Sequence, residues 1–249
     1  MARFNLKTAT VASASVLAMA AAGQAQAVEF TAGDTDVTIG GYTKLTGIYN
    51  VDQDLGDSAF FQNVELDEDD TETDGSTRLH ARQSRITLAT SSDVEWGGPV
   101  ETFIQTDFYG EGTELRLRHA YLEWNGVLAG QTWSNFQPLN FAPTIDFAGP
   151  AGYIFNRQGQ LRYTVDTGPG ALSFSIEDPD ASFDPADRNS DEIDNDGENS
   201  DLPDLTARFA GGSGGFDYSV SGVLAQVEAD NGTDVDDDGS AFGVNASGA

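Results

Sequence analysis

The 249-residue sequence contains no cysteine and only two histidines. Disulfide stapling is therefore excluded, and thiol chemistry with it. His80 and His119 are too few for an imidazole metal cluster, and no enzyme is expected. Basic residues are scarce as well: 12 Lys and Arg stand against 41 Asp and Glu, for a formal charge of −29. A chain that acidic has no electrostatic footprint for nucleic acid, so a nucleic-acid partner is excluded. Past residue 22 there is no apolar run of the roughly 20 residues that a spanning helix needs. Nor does an apolar stripe of helical period occur there.

What is present begins with a targeting segment. Arg3 and Lys7 precede the apolar run 8–22, and Ala25-Gln26-Ala27 is a small-x-small cleavage site. This reads as a secretory signal over 1–27, with a mature chain from Val28. Removing its two basic residues takes the net charge from −29 to −31. Such acidity also marks a strongly solvated surface. An exported chain without disulfides must draw its stability from a large core or a closed sheet. The 28 glycines and 10% aromatic content favour a β protein with many turns.

Beyond residue 36 the hydrophobic period is two. Ile86 and Leu88 oppose Arg85 and Thr87; Leu172, Phe174 and Ile176 oppose Ser173 and Ser175; Leu205 and Phe209 oppose Thr206 and Arg208. Ten strands follow from this pattern: 37–50, 78–90, 99–109, 114–125, 127–134, 157–166, 171–177, 203–210, 216–228 and 240–249. The connections carry more information than the strands. Short ones (91–98, Asn125-Gly126, 167–170, 211–215) alternate with long ones (51–77, 135–156, 178–202, 229–239). The joint after the third strand is the exception. Tight turns at one end and long loops at the other are the signature of an outer-membrane barrel. The expected fold is thus all-β, an antiparallel transmembrane barrel, with 28–249 as the N-terminal part of one domain.

The acids follow the same division. Segments 51–77, 177–201 and 228–238 hold 10, 11 and 6 of them, and Arg188 is the only basic residue there. The acidity is therefore largely a property of the long loops. In a membrane barrel the apolar face meets lipid and the polar face lines the lumen. The alternation places Lys44, Arg85, Arg116, Arg118, Arg162 and Arg208 on the polar face, with Asp107 and Asp217 as its clearest acids. Rings of charge set which solutes pass a pore, and guanidinium grips carboxylate and phosphate through two parallel bonds. Both histidines, and Tyr121 with them, have the parity of the lipid face. Arg82 does too, which suggests a lipid phosphate, a neighbouring subunit or a bulge between it and Arg85.

Residues 135–156 differ from the other long connections. They hold a single acid, Asp146, with three prolines and the aromatics Phe136, Phe141, Phe147, Tyr153 and Phe155. A loop this apolar is expected to fold into the barrel as a constriction or onto a neighbouring subunit. Under the first reading Phe141, Asp146, Phe147 and Tyr153 form the constriction, and Arg157 lies near the narrowest point.

The runs "LRLRHAYLEWNGVLAGQTWSNF" and "TIDFAGPAGYIFNRQGQLRYT" resemble the DcaP-like porins of Gram-negative outer membranes, as do "RQSRI" around Arg85 and "DFYG" at 107–110. The resemblance covers roughly residues 35–175. It implies a homotrimer of barrels of about sixteen strands, a third loop inside each barrel, and passage of small organic acids. It also supports inward positions for Arg85, Arg116, Arg118 and Arg162. The chain stops at Ala249 without a terminal aromatic, so a longer parent chain is expected, because open sheet edges are not viable in lipid.

No cofactor is required. Three acidic stretches (70–75, 192–197 and 234–239) loosely fit the first half of a calcium loop, so weak divalent-ion binding in the outer loops is a side expectation. The competing function is an acidic, calcium-binding surface β-protein without a pore. The favoured reading is an outer-membrane porin whose partners are small anionic or polar solutes and membrane lipid.

Overall fold

A computed structural model of the chain describes residues 23–24, 27–50, 76–95, 97–110, 112–137, 156–179, 202–230 and 236–248. Most of the expected signal segment and the greater part of the first three long loops lie outside these residues. Every described element is a strand: β1 (Gly23–Gln24), β2 (Val28–Ala32), β3 (Thr35–Thr43), β4 (Thr46–Asn50), β5 (Ser76–His80), β6 (Arg85–Asp93), β7 (Pro99–Asp107), β8 (Arg116–Trp124), β9 (Val127–Trp133), β10 (Arg157–Asp166), β11 (Ala171–Glu177), β12 (Asp204–Ser213), β13 (Phe216–Asp230) and β14 (Asp236–Gly248). Strands β3 and β6 to β14 form one antiparallel meander in chain order, while β1 and β2 pair along the other edge of β3. β4 and β5 make a separate two-stranded ribbon.

All ten expected strands are present, with three differences. First, β2 was not foreseen; Gly33 and Asp34 turn it back onto β3. Second, the first two expected strands are interrupted, at 44–45 and at 81–84. Ser84 N donates to Ala81 O, which makes a turn in place of a ladder rung. Gly41 marks the point where the ladder ends: its φ is +139, and a Cβ there would stand 2.1 Å from Arg85 O. Third, β13 and β14 run to 15 and 13 residues, so the last connection shrinks to 231–235. Asp236–Gly239 therefore extends in a ladder opposite 227–230; a calcium loop would have to curl around its ion.

The tight turns gather at one end. Asn125 (φ 48) and Gly126 (φ 82) take the two left-handed positions of a type I′ hairpin, and Gly214 and Gly215 take the same pair between β12 and β13. The run Gly211–Gly215 spells Gly-x-Ser-x-Gly, but it is a hairpin and not the strand–turn–helix elbow of a hydrolase.

Burial is inverted relative to a water-soluble domain. Among the described residues Leu128 is the only large apolar side chain that is buried, whereas Asp107, Arg118, His119, Asn135, Glu177, Arg208 and thirteen other polar ones are. Ile39, Ile86, Ile104, Leu122, Leu161, Phe174, Leu205 and Val220 stand exposed on the opposite face. Phe209, Phe216 and Tyr218 cluster near the tight-turn end, with centroids 6.1 and 6.5 Å apart. This is the arrangement of a lipid-facing band with an aromatic girdle. A test follows at Phe174, which is 50% exposed between Tyr163 and Ala207. Phe174→Arg is expected to cost about 2–4 kcal/mol in lipid bilayers, the depth-dependent cost of a cation on the lipid face. Urea unfolding in vesicles measures it, and no loss would place Phe174 off the lipid face.

Candidate pore lining

The polar face is richest where β7 and β8 meet. The register of this pair shifts between Gln105 and Thr106: Gln105 faces His119, Thr106 faces Leu117, and Arg118 is the extra residue of a bulge. A bulge adds one residue to one strand and so reverses the alternation beyond it. Arg116, Arg118 and His119 consequently all lie on the polar side. His119 shares a hydrogen bond with Thr132 Oγ1 at 3.0 Å and meets the rings of Phe103 and Trp133 edge-on. The sequence expectation that His119 and Tyr121 share the lipid face is thereby corrected. Tyr121 stands opposite Phe103, rings 5.5 Å apart.

Asp107 is the hub of this region and is fully buried. Arg116 donates to it from Nε (3.0 Å) and Nη2 (2.6 Å), Arg118 from Nη1 (3.0 Å), and the Tyr109 backbone N–H from 3.2 Å. Arg118 also donates to Gln105 Oε1. Arg116 lies over the Tyr109 ring at 5.2 Å, and Arg82 lies over the same ring at 5.0 Å. Arg82 sits in the break between β5 and β6, so strand parity does not apply to it. Its Nε and Nη2 reach the carbonyls of Phe108 and Gly110, and it holds the β7–β8 loop down. Lys44 occupies the other interruption and donates to Gln83 Oε1.

The remaining predicted cations are placed differently. Arg85 lies over Tyr42 (5.5 Å) and Arg157 over Trp133 (4.5 Å). Arg162 faces Leu128 on one side and Ser175 on the other, and Arg208 is only 5% exposed between Ser173 and Ser221. Among the described residues none of these four guanidiniums has a carboxylate within ion-pair distance. Arg85, Arg116, Arg118 and Arg157 lie close enough to act on one another electrostatically, and so do Arg162 and Arg208. The face thus holds one partly neutralised group around Asp107 and two groups of guanidiniums without an ion-pair partner among the described residues, of which Arg162 feels Glu123 and Glu177 at longer range.

Sequence reasoning missed several polar-face acids. Glu101 and Glu123 are direct cross-strand partners near the tight-turn end. Glu177, 2% exposed, lies at the opposite end of β11. In the first residues of the third long loop, Ser134, Asn135 and Gln137 are buried and Phe136 is half-buried, and Asn135 is bonded to β11 and β12. This segment runs over the polar face, not away from it. The proposed constriction residues Phe141, Asp146, Phe147 and Tyr153 lie outside the described residues, as do the acidic stretches 70–75 and 192–197.

The model of a porin subfamily matches residues 31–245. Among solved structures, the outer membrane channel DcaP of Acinetobacter baumannii superposes with a TM-score of 0.71 at 28% identity, over 88% of this chain. The chain spans 61% of that channel's length. No curated protein matches.

Proposed function

This chain belongs to the porin subfamily, and from that premise we propose that it forms part of the wall of a passive, anion-favouring diffusion channel for small hydrophilic solutes such as organic acids. It is a protein of the bacterial outer membrane. Porins need no catalytic step; the polar face sets what passes by charge and bore. The observation that carries the anion preference is the set of four guanidiniums without an ion-pair partner among the described residues, Arg85, Arg157, Arg162 and Arg208. They attract an anion without having to release a carboxylate first. Arg116 and Arg118 contribute less, since Asp107 already occupies them. A homotrimeric assembly, each barrel constricted by its own third loop, accords with the resemblance read from residues 115–164.

The protein extracted from outer membranes and reconstituted in planar bilayers is expected to give stepwise conductance. In a potassium chloride gradient its reversal potential should have the sign of chloride preference. Absence of steps would refute the channel; a potassium preference would refute the assignment of the arginines as the selective element.

A further inference from the structure

The third long loop does not leave β9 freely. At its neck Ser134 N donates to Asn156 O at 2.9 Å, and Gln137 N turns back to Ser134 O. Between these points Asn135, 1% exposed, uses its backbone N–H and both polar atoms of its side chain on the wall. Its backbone N–H donates to Glu177 Oε1 (2.8 Å), its Nδ2 to Thr206 Oγ1 (3.0 Å), and its Oδ1 accepts from Ser173 Oγ (2.7 Å). Phe136 O then accepts from Ser221 Oγ at 2.6 Å. These partners lie on β11, β12 and β13, skipping β10, the strand that pairs with β9. The segment is thereby carried across the polar face as far as the fourth strand from β9.

Glu177 is the centre of this arrangement. Its Oε1 also accepts from Ser175 Oγ at 2.6 Å, and the Ser175 and Thr206 hydroxyls bond each other. A buried carboxylate is costly unless hydrogen-bonded. This one is satisfied by the loop backbone and by the hydroxyls of Ser175 on β11 and Thr206 on β12. Its charge also acts on Arg162.

We propose that Glu177 is a positioning residue: with Asn135 it latches Ser134–Gln137 flat against β11–β13 and thereby sets the solute size limit of the channel. The inference rests on the porin reading. The latch is a position, and the carboxylate is a charge, so the two roles separate by variant. Asn135→Ala removes the side-chain bonds and leaves the charge. Glu177→Gln keeps an acceptor and removes the charge. Glu177→Ala removes both.

The test uses the channel in liposomes swelling in neutral oligosaccharides of graded size, alongside reversal potentials in a potassium chloride gradient. Asn135→Ala is expected to admit the next larger oligosaccharide with its reversal potential unmoved. Glu177→Gln should keep the wild-type size limit and shift the reversal potential further toward chloride. Glu177→Ala should do both. Folding is checked by strand content and heat-modifiable mobility. If Asn135→Ala does not fold, Ser221→Ala, which deletes only the bond to Phe136 O, is expected to show a smaller shift of the size limit. Folded Asn135→Ala and Glu177→Ala variants with the wild-type limit would overturn the proposal. A wild-type protein that passes neither sugars nor ions would overturn the porin reading instead.

Discussion

Asp107→Ala is expected to cost about 3–5 kcal/mol of stability, the range for deleting one partner of a buried ion pair. The figure attaches to Arg118, whose side chain is 5% exposed, and not to Arg116, which is 38% exposed and can turn to water. Without the carboxylate, Arg118 keeps one side-chain partner among the described residues, the neutral Gln105 Oε1 at 3.1 Å. The cost is the uncompensated burial of a cation, which a neutral amide does not offset. Asp107→Asn should lie between, because it keeps acceptor capacity while losing the charge. Urea unfolding in vesicles reads the order: wild type, then Asn, then Ala. Channels that survive should be more anion-selective than wild type, since Arg116 and Arg118 join the set without an ion-pair partner. Coincident unfolding curves would show that Asp107 does not hold the β7–β8 bulge.

The same site shows what the sequence could and could not reveal. Period-two alternation identified every strand from β6 onward, and Asn125-Gly126 named its own turn type. These signals are local: a strand's two faces and a two-residue turn are specified within a few positions. The resemblance carried by residues 115–164 is matched by the family model and by the A. baumannii channel. A bulge, however, is a property of two strands at once. Nothing in "LRLRHAYLEW" shows that Arg118 is the extra residue, so parity sent His119 and Tyr121 to the wrong face. Arg82 failed for a related reason. Its strand stops at a turn, and alternation has no meaning across it.

Glu177 and Asn135 were illegible for a different reason. Each is an ordinary polar residue beside a loop. Their partners lie 38, 42 and 71 residues apart in the chain and meet only when β9, β11 and β12 are side by side. The fold comes from local patterning, whereas the contacts that shape the lumen come from closure of long loops. A single sequence records the first and not the second.

Arg162 and Arg208 provide the strongest test of selectivity, and the double charge reversal Arg162→Glu with Arg208→Glu is expected to turn the channel from anion- to cation-preferring. These two are the better choice because the Asp107 cluster is already partly neutral and because Arg208 has no described ion-pair partner. At an effective dielectric of 20, a monovalent ion 8 Å from one unit charge gains or loses about 2 kcal/mol. Reversal doubles that difference at each position, and screening over about 10 Å at 0.1 M salt reduces it. What remains is enough for a change of about tenfold or more in the chloride-to-potassium permeability ratio, since 1.4 kcal/mol is a factor of ten. Neutral variants at the same positions should fall between. Raising the salt to 1 M, where screening acts within about 3 Å, should collapse all of them toward the ratio of the free ions. Reversal potentials at both salt concentrations read the result. An unchanged ratio at 0.1 M would mean that permeating ions do not pass the β10–β12 wall, and the selective arginines would then have to be Arg85 and Arg157, above it.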